Sequence, residues 1–235
     1  MKALSNPLTQ KERLRIPRLL GHNSHAIIGK SLRAIREGNK DLAMNLLLFV
    51  EDIEETVEVM THGGEICLGF GSRDYMRDYG LQIFLKELNK VYEGRLKVEV
   101  ETNAQFSTSR AILNSVLGNI IDNALGIQYK ADKKVVEVRA SWFTGFPETA
   151  IYIPNGARDY KEFVRFSVQN PGKFPRDKPL IDRLTICPPR GKQGFGLYFT
   201  GLAAKVLRAP VDIKSEEGIV DVSFYQPIYP EEAGR

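Results

Sequence analysis

The character of the chain changes at His62-Gly63-Gly64, where a helical stretch breaks, and that change limits the folds open to it. Ahead of it, apolar residues recur at helical spacing over 42–60, and the stretch 29–35 leads into them through Glu37-Gly38-Asn39-Lys40-Asp41. A glycine and an asparagine followed by an aspartate supply a C-cap, a tight turn and an N-cap, so this part reads as a helical hairpin. Beyond the glycines, helix and strand signals alternate. Leu81, Phe84, Leu85 and Leu88 stand at i, i+3, i+4 and i+7 in an expected helix over 75–91. Residues 96–101 alternate as a strand, and 108–129 read as a long amphipathic helix carrying Ile112, Val116, Ile120 and Leu125. Three strands are expected at 135–143, 149–153 and 162–169, then a loop over 170–194. A helix at 195–208 and strands at 211–214 and 220–225 close the chain. This order is that of an α+β sandwich, with helices on one face of a mixed sheet.

Composition removes several classes. With 235 residues, 43% hydrophobic and 26% charged, the chain has enough material for a folded core in one large or two modest domains. Its longest apolar runs, such as 46–50, fall far short of the ~20 residues of a membrane span. The first fifteen residues carry no apolar signal segment, and Cys67 and Cys187 make neither a disulfide framework nor a zinc site. A soluble, cytoplasmic protein without a membrane span is expected. The net charge of +4 (33 − 29) hints at an anionic partner but, spread over this length, is weak evidence for nucleic acid, and no nucleic-acid partner is expected. The acidic cluster Glu51, Asp52, Glu54 and Glu55 reads as a solvated helix face.

Three segments of the second part carry chemistry. Asn119-Ile120-Ile121-Asp122-Asn123 sets two carboxamides four residues apart on one helical face. Their oxygens suit Mg2+, which keeps water and phosphate as its other ligands; taken alone, they read more readily as a solvated face. Phe166-Ser167-Val168-Gln169-Asn170-Pro171-Gly172-Lys173 ends a strand in a polar side chain and a glycine turn, where Gly172 would let the backbone approach a planar ligand. Gly191-Lys192-Gln193-Gly194-Phe195-Gly196-Leu197 precedes an apolar helix. Such a loop aims backbone N–H groups and a helix N-terminus at phosphate, with Arg190 and Lys192 supplying charge.

In this order and spacing the three segments resemble the N, G1 and G2 boxes of the histidine-kinase-type ATPase superfamily, which includes gyrase, the Hsp90 chaperones and sensor kinases. LGNIIDNAL at 117–125 is similar to the sensor-kinase N box, and GKQGFGLYFTGLAAKVL at 191–207 to G2 with its helix. Ser215-Glu216-Glu217-Gly218, an alternating strand and Pro227 resemble the closing strands, so the resemblance spans 74–228. At G1 the family usually has Asp where Asn170 stands and Gly where Phe174 stands, although V-x-N-P-G-x-x-P resembles a variant in some sensor kinases. An Asn carboxamide offers one acceptor and two donors, whereas a carboxylate only accepts. The resemblance implies ATP held by Asn119, Asn123, Asn170, Gly172, Arg190, Gly194, Gly196 and Leu197. It implies Mg2+ on Asn123 with help from Asn119, and Lys192 as a charge on the transferring phosphoryl group.

In front of such a domain the hairpin resembles the dimerisation and phosphotransfer module of a sensor histidine kinase, which pairs into a four-helix bundle. The acceptor would be His22 or His25. Taking Ile28, Leu32 and Ile35 as the core stripe, at ~100° per residue His25 lies about 60° from Ile28 and His22 about 120°. His22 is thereby on the rim, within reach of an ATPase domain or receiver. It stands 16 residues before Gly38 (38 − 22), a register similar to the H-D-x-x-N kinases with short hairpins. The family's acidic residue after the histidine is here Asn23, and its later Asn is Ala26. An adjacent carboxylate helps orient the imidazole and take up its proton. His62 reads as an ordinary helix-end residue.

The expected architecture is a hairpin over 1–66, pairing through 8–60 in a homodimer, joined to an α/β sandwich ATP-binding domain over 67–235. The expected function is an ATP-dependent protein-histidine kinase of a two-component phosphorelay. It would autophosphorylate on His22 and pass the phosphoryl group to an Asp of a response-regulator receiver domain. Input would come from an upstream sensor protein or a sensor region not in this sequence. The alternative is a histidine phosphotransferase of the same fold that relays without ATP chemistry. A further reading, an ATP-binding switch resembling anti-sigma factors, is opposed by the long hairpin.

Overall fold

The structure is a computed structural model that describes residues 2–62, 65–68, 76–101, 106, 108–126, 135–173, 179–189 and 195–229. A short strand, β1 (Lys2–Ser5), and one helical turn, α1 (Gln10–Arg13), precede the hairpin of α2 (Ile16–Arg36) and α3 (Lys40–Thr61). Gly38 takes a φ of 76° in the turn, which glycine adopts at little cost. Asn39 rather than Asp41 is the N-cap: its side chain accepts the Leu42 N–H at 3.1 Å. Asp41 falls in the first turn, where its charge suits the helix dipole.

The apolar stripe Ile28, Leu32, Ile35 is not the internal seam of the hairpin. These side chains are 40%, 54% and 54% exposed, and α2 instead buries Leu20, Ile27, Ser31 and Ala34. Small residues let the two helices approach, and Ser31 Oγ donates to the Ala43 carbonyl at 3.3 Å. On α3, by contrast, the apolar residues Leu46 and Val50 are buried within the chain. The acidic cluster also divides, for Asp52 is buried whereas Glu51 and Glu54 are exposed.

The helical reading of the first residues yields to β1, which pairs antiparallel with β2 (Glu65–Leu68). Asn6 Nδ2 then donates to the carbonyls of Met60 (3.1 Å) and His62 (2.9 Å), satisfying the end of α3. Next come α4 (Met76–Val91), β3 (Leu96–Val100), α5 (Arg110–Gly126), β4 (Val136–Thr144) and β5 (Glu162–Pro171). After them stand α6 (Leu180–Thr185), α7 (Phe195–Leu207), β6 (Val211–Glu216) and β7 (Ile219–Pro227). The strands form a mixed sheet in the order β3-β4-β5-β7-β6, with β3 and β4 parallel and the other neighbours antiparallel. The expected strand at 149–153 is absent. Pro147 and Pro154 bracket it, and Tyr152 alone reaches the sheet in a bridge to Val211. Residues 180–185, expected as loop, form α6.

Period-two alternation gives the sheet two unlike faces. Val138, Val168, Val222 and Ile213 pair across strands on the buried face, as do Ala140, Phe166, Phe224 and Val211. The other face carries ion pairs, including Arg139 with Glu99 (2.9 Å) and Glu137 (3.0 Å) and Arg165 with Asp221 (3.1 Å). Helices α5 and α7 cover the apolar face, and α3 packs on the far side of α5. Residues 111–121 of α5 are therefore buried all round, and the amphipathic reading of that helix fails. Phe49 of α3 lies against Gly118, where a Cβ would stand 2.7 Å from the ring Cζ. No helix among the described residues is long and apolar enough to cross a membrane.

Candidate functional site

The two carboxamides of α5 meet the start of α7. A Cβ on Gly196 would stand 2.7 Å from Asn123 Nδ2 and 3.2 Å from Asn119 Oδ1, so only glycine admits both side chains at this approach. Asn119 is buried, and its Nδ2 donates to the Ser115 carbonyl one turn earlier at 2.7 Å, which turns Oδ1 toward α7. Asn123 Nδ2 is buried and finds no hydrogen-bond partner among the described residues. A buried orphan donor costs ~1–3 kcal/mol, which an acceptor such as a phosphate oxygen would recover. Thr200 Oγ1 donates to the Gly196 carbonyl at 3.0 Å and fixes the first turn of α7. Leu197, next in that turn, is buried.

Asn170 ends β5 and is buried, with Nδ2 donating to the Pro171 carbonyl at 3.2 Å. With its donor side engaged locally, the carboxamide keeps an acceptor to present. Gly172 follows and donates its N–H to the Gly218 carbonyl at 2.8 Å, so the turn after β5 is tied to the β6–β7 hairpin. Glu217 and Gly218 both have positive φ there, 51° and 78°, as a two-residue hairpin turn requires. Arg190, Lys192 and Gly194 lie outside the described residues, as does Phe174. His22 and His25 belong to α2, and the side chains of 22–26 lie outside what the structure describes.

The environment of α5 was not visible in the motif. Asn114 Nδ2 donates to Asp52 Oδ2 at 2.6 Å, and Thr56 Oγ1 lies 3.0 Å from Ser115 Oγ; all four residues are buried. Tyr92 Oη donates to the Gly118 carbonyl at 3.1 Å, and burial pushes its pKa well above the ordinary phenol value. The only sequence signal for these partners is the i−4 spacing of Ser115 from Asn119.

Mg2+ requires oxygen ligands. Among the described residues no group of three or more His, Cys, Asp or Glu gathers as a metal cage. At the start of α7, Asn119 Oδ1 offers one oxygen, whereas the orphan Asn123 Nδ2 beside it is a donor, which fits a phosphate oxygen rather than a cation.

No family model matches the sequence, and no curated protein is found similar to it. Among solved structures the chain is similar to the histidine kinase AdeS of Acinetobacter baumannii, at 14% identity and a TM-score of 0.45, covering 89% of this chain and 97% of that one. It is also similar to the histidine kinase domain of the blue-light activated kinase EL346 of Erythrobacter litoralis, at 15% identity and 0.43, covering 93% and 94%. A bacterial phosphotransferase matches at 14% identity and 0.46, covering 94% and 100%. At such identities and scores these likenesses carry no functional argument; the residues of the site do.

Proposed function

We propose that the chain is the ATP-binding and phosphotransfer core of a histidine kinase. The observation that carries this reading is the convergence of Asn119 and Asn123 on Gly196 at the start of α7, with a buried donor left for an acceptor. In this reading 67–235 is the ATP-binding domain and 1–66 the phosphotransfer hairpin. Adenine lies beside Asn170, whose Oδ1 accepts from the exocyclic amino group, with Gly172 in the adjoining turn. The phosphates lie under 190–196, where Arg190, Lys192, Gly194 and the N–H groups of Gly196 and Leu197 offset their charge. Asn123 and Asn119 would hold Mg2+ through Oδ1, and the ion when bound neutralises charge on the transferring phosphoryl group.

Reaction at His22 breaks the bond from the γ-phosphorus to its bridging oxygen and forms a P–N bond to the imidazole. ADP leaves, and the ring proton goes to water because Asn23 offers no carboxylate. A receiver-domain Asp then takes the phosphoryl group. The exposed Ile28, Leu32 and Ile35 are the surface that a second copy covers, since a lone two-helix hairpin leaves one apolar face in water. Input comes from an upstream sensor protein or from a sensor region outside this sequence, and the protein acts in the cytoplasm.

A relay without ATP chemistry is the second reading. It is favoured by two substitutions of Asn for the family's acid, at Asn170 and Asn23. Incubation with γ-labelled ATP, scored for acid-labile phosphate, separates the two. A kinase labels, loses label in His22→Gln and in Asn123→Ala, and keeps its fold in both. A wild type that binds no nucleotide in calorimetry leaves the relay. Labelling that survives Asn123→Ala removes the assigned metal ligand.

A further inference from the structure

A line of buried hydrogen bonds joins the hairpin to the α5 carboxamides. Thr56 on α3 and Ser115 and Asn119 on α5 are 0%, 2% and 7% exposed. Thr56 Oγ1 donates to the Asp52 carbonyl at 2.7 Å and lies 3.0 Å from Ser115 Oγ. A hydroxyl has one proton and a carbonyl has none to give, so Ser115 Oγ–H is the donor between the two. The carbonyl of Ser115 accepts Asn119 Nδ2, and Asn119 Oδ1 fronts Gly196. The ring of Phe49 packs against Gly118, and Asn114 Nδ2 donates to Asp52 Oδ2 at 2.6 Å, but of the two polar pairs only Thr56–Ser115 lies on the residue whose carbonyl holds Asn119. A hydrogen bond is directional and so constrains the rotation of the helix that makes it.

We propose that Thr56 is a positioning residue: through Ser115 it sets the rotation of α5, and so the aim of Asn119 at α7, making nucleotide affinity depend on the hairpin. The proposal rests on the nucleotide-site reading above. Residues 115, 119 and 123 are successive turns of one face, so a rotation released at Ser115 is carried to both carboxamides. Linkage makes the effect reciprocal. A hairpin shift that weakens nucleotide binding must itself be opposed, by the same factor, when nucleotide is bound.

The test uses the full chain and Mg-ADP in calorimetry. Thr56→Val keeps the shape and removes the hydroxyl; Thr56→Ser keeps the hydroxyl. Ile53→Val, one turn away and equally buried, loosens the same helix with no polar link. Thr56→Val is expected to weaken binding by about fivefold or more, the lower end of ordinary coupling. Thr56→Ser and Ile53→Val should stay within about twofold, below that coupling range. Equal weakening by Thr56→Val and Ile53→Val, or none by Thr56→Val, overturns the proposal. A wild type that binds no Mg-ADP defeats the nucleotide reading instead. The positioning claim is then decided by NMR of the Asn119 side-chain amide, which Thr56→Val should shift and Ile53→Val should not. An amide signal indifferent to Thr56→Val refutes it.

Discussion

Gly196→Ala should separate stability from function. The new methyl would lie 2.7 Å from Asn123 Nδ2 and 3.2 Å from Asn119 Oδ1. Non-bonded carbon settles about 3.5 Å or more from its neighbours, so the Asn123 carboxamide must retreat by roughly 0.8 Å. Both obstacles are side-chain ends, and moving one off its rotamer costs about 0.5–1.5 kcal/mol. Replacing glycine by alanine within a helix returns about 0.5–1 kcal/mol. Net stability should therefore change by less than ~1 kcal/mol in urea unfolding, whichever term is larger. Function has no such compensation. A misplacement approaching 1 Å costs on the order of 100-fold in a positioned site. Mg-ADP affinity and ATP-dependent labelling should fall by about tenfold to 100-fold. A variant that is stable and binds and labels as wild type would refute the assignment of Asn123 and Asn119 to the phosphate side of a nucleotide. A variant that loses nucleotide only because it has unfolded would show that Gly196 is needed for packing alone.

Three further outcomes follow from the packing. In Gly201→Ala the Cβ would fall 2.0 Å from the Leu184 carbonyl oxygen and 2.8 Å from its carbon. That obstacle is backbone, so the cost should be about 1–3 kcal/mol or more in urea unfolding, with α6 displaced from α7. At Glu12, burial raises the carboxyl pKa, but hydrogen bonds from Lys205 and Thr9 outweigh it and the net shift is downward from 4.5. Its stabilisation is thus complete above 4.5 and lost as pH falls through the folded value, so Glu12→Gln should lower the urea midpoint at neutral pH and converge with wild type in acid. On the homodimer proposed above, Leu32→Glu, on the exposed stripe of α2, should give a monomer in sedimentation while leaving the unfolding midpoint of the monomer unchanged.

What was legible in the sequence was local. Asn119 and Asn123 share a face because four residues make about one helical turn, and Gly196 stands in a loop-to-helix junction whose composition marks it. The alternation of β4, β5 and β7 likewise announced which side chains face the helices. Partners distant along the chain left no such mark. Four residues of β1 pair with β2 across sixty positions, and a segment that short has no period to read. Ile28, Leu32 and Ile35 define a face of α2, but a helical wheel cannot say whether α3 or a second molecule covers it. The stretch 149–153 had strand-forming residues, and the prolines at each end decided against a ladder.

The α3–α5 contact was hidden for a different reason. Thr56, Ser115, Asn114 and Gly118 are small or polar and add nothing to hydrophobic periodicity, and Thr56 and Ser115 are 59 residues apart. Yet these residues explain why α5 is apolar nearly all round: it is wedged between the sheet and the hairpin, with no solvent face over 111–121. On the hairpin side the contacts include the ring of Phe49 against Gly118 and two polar pairs, Thr56 with Ser115 and Asp52 with Asn114. A shift of α3 reaches Asn119 through these contacts, while the Lys205–Glu12 pair ties the segment ahead of the hairpin directly to α7.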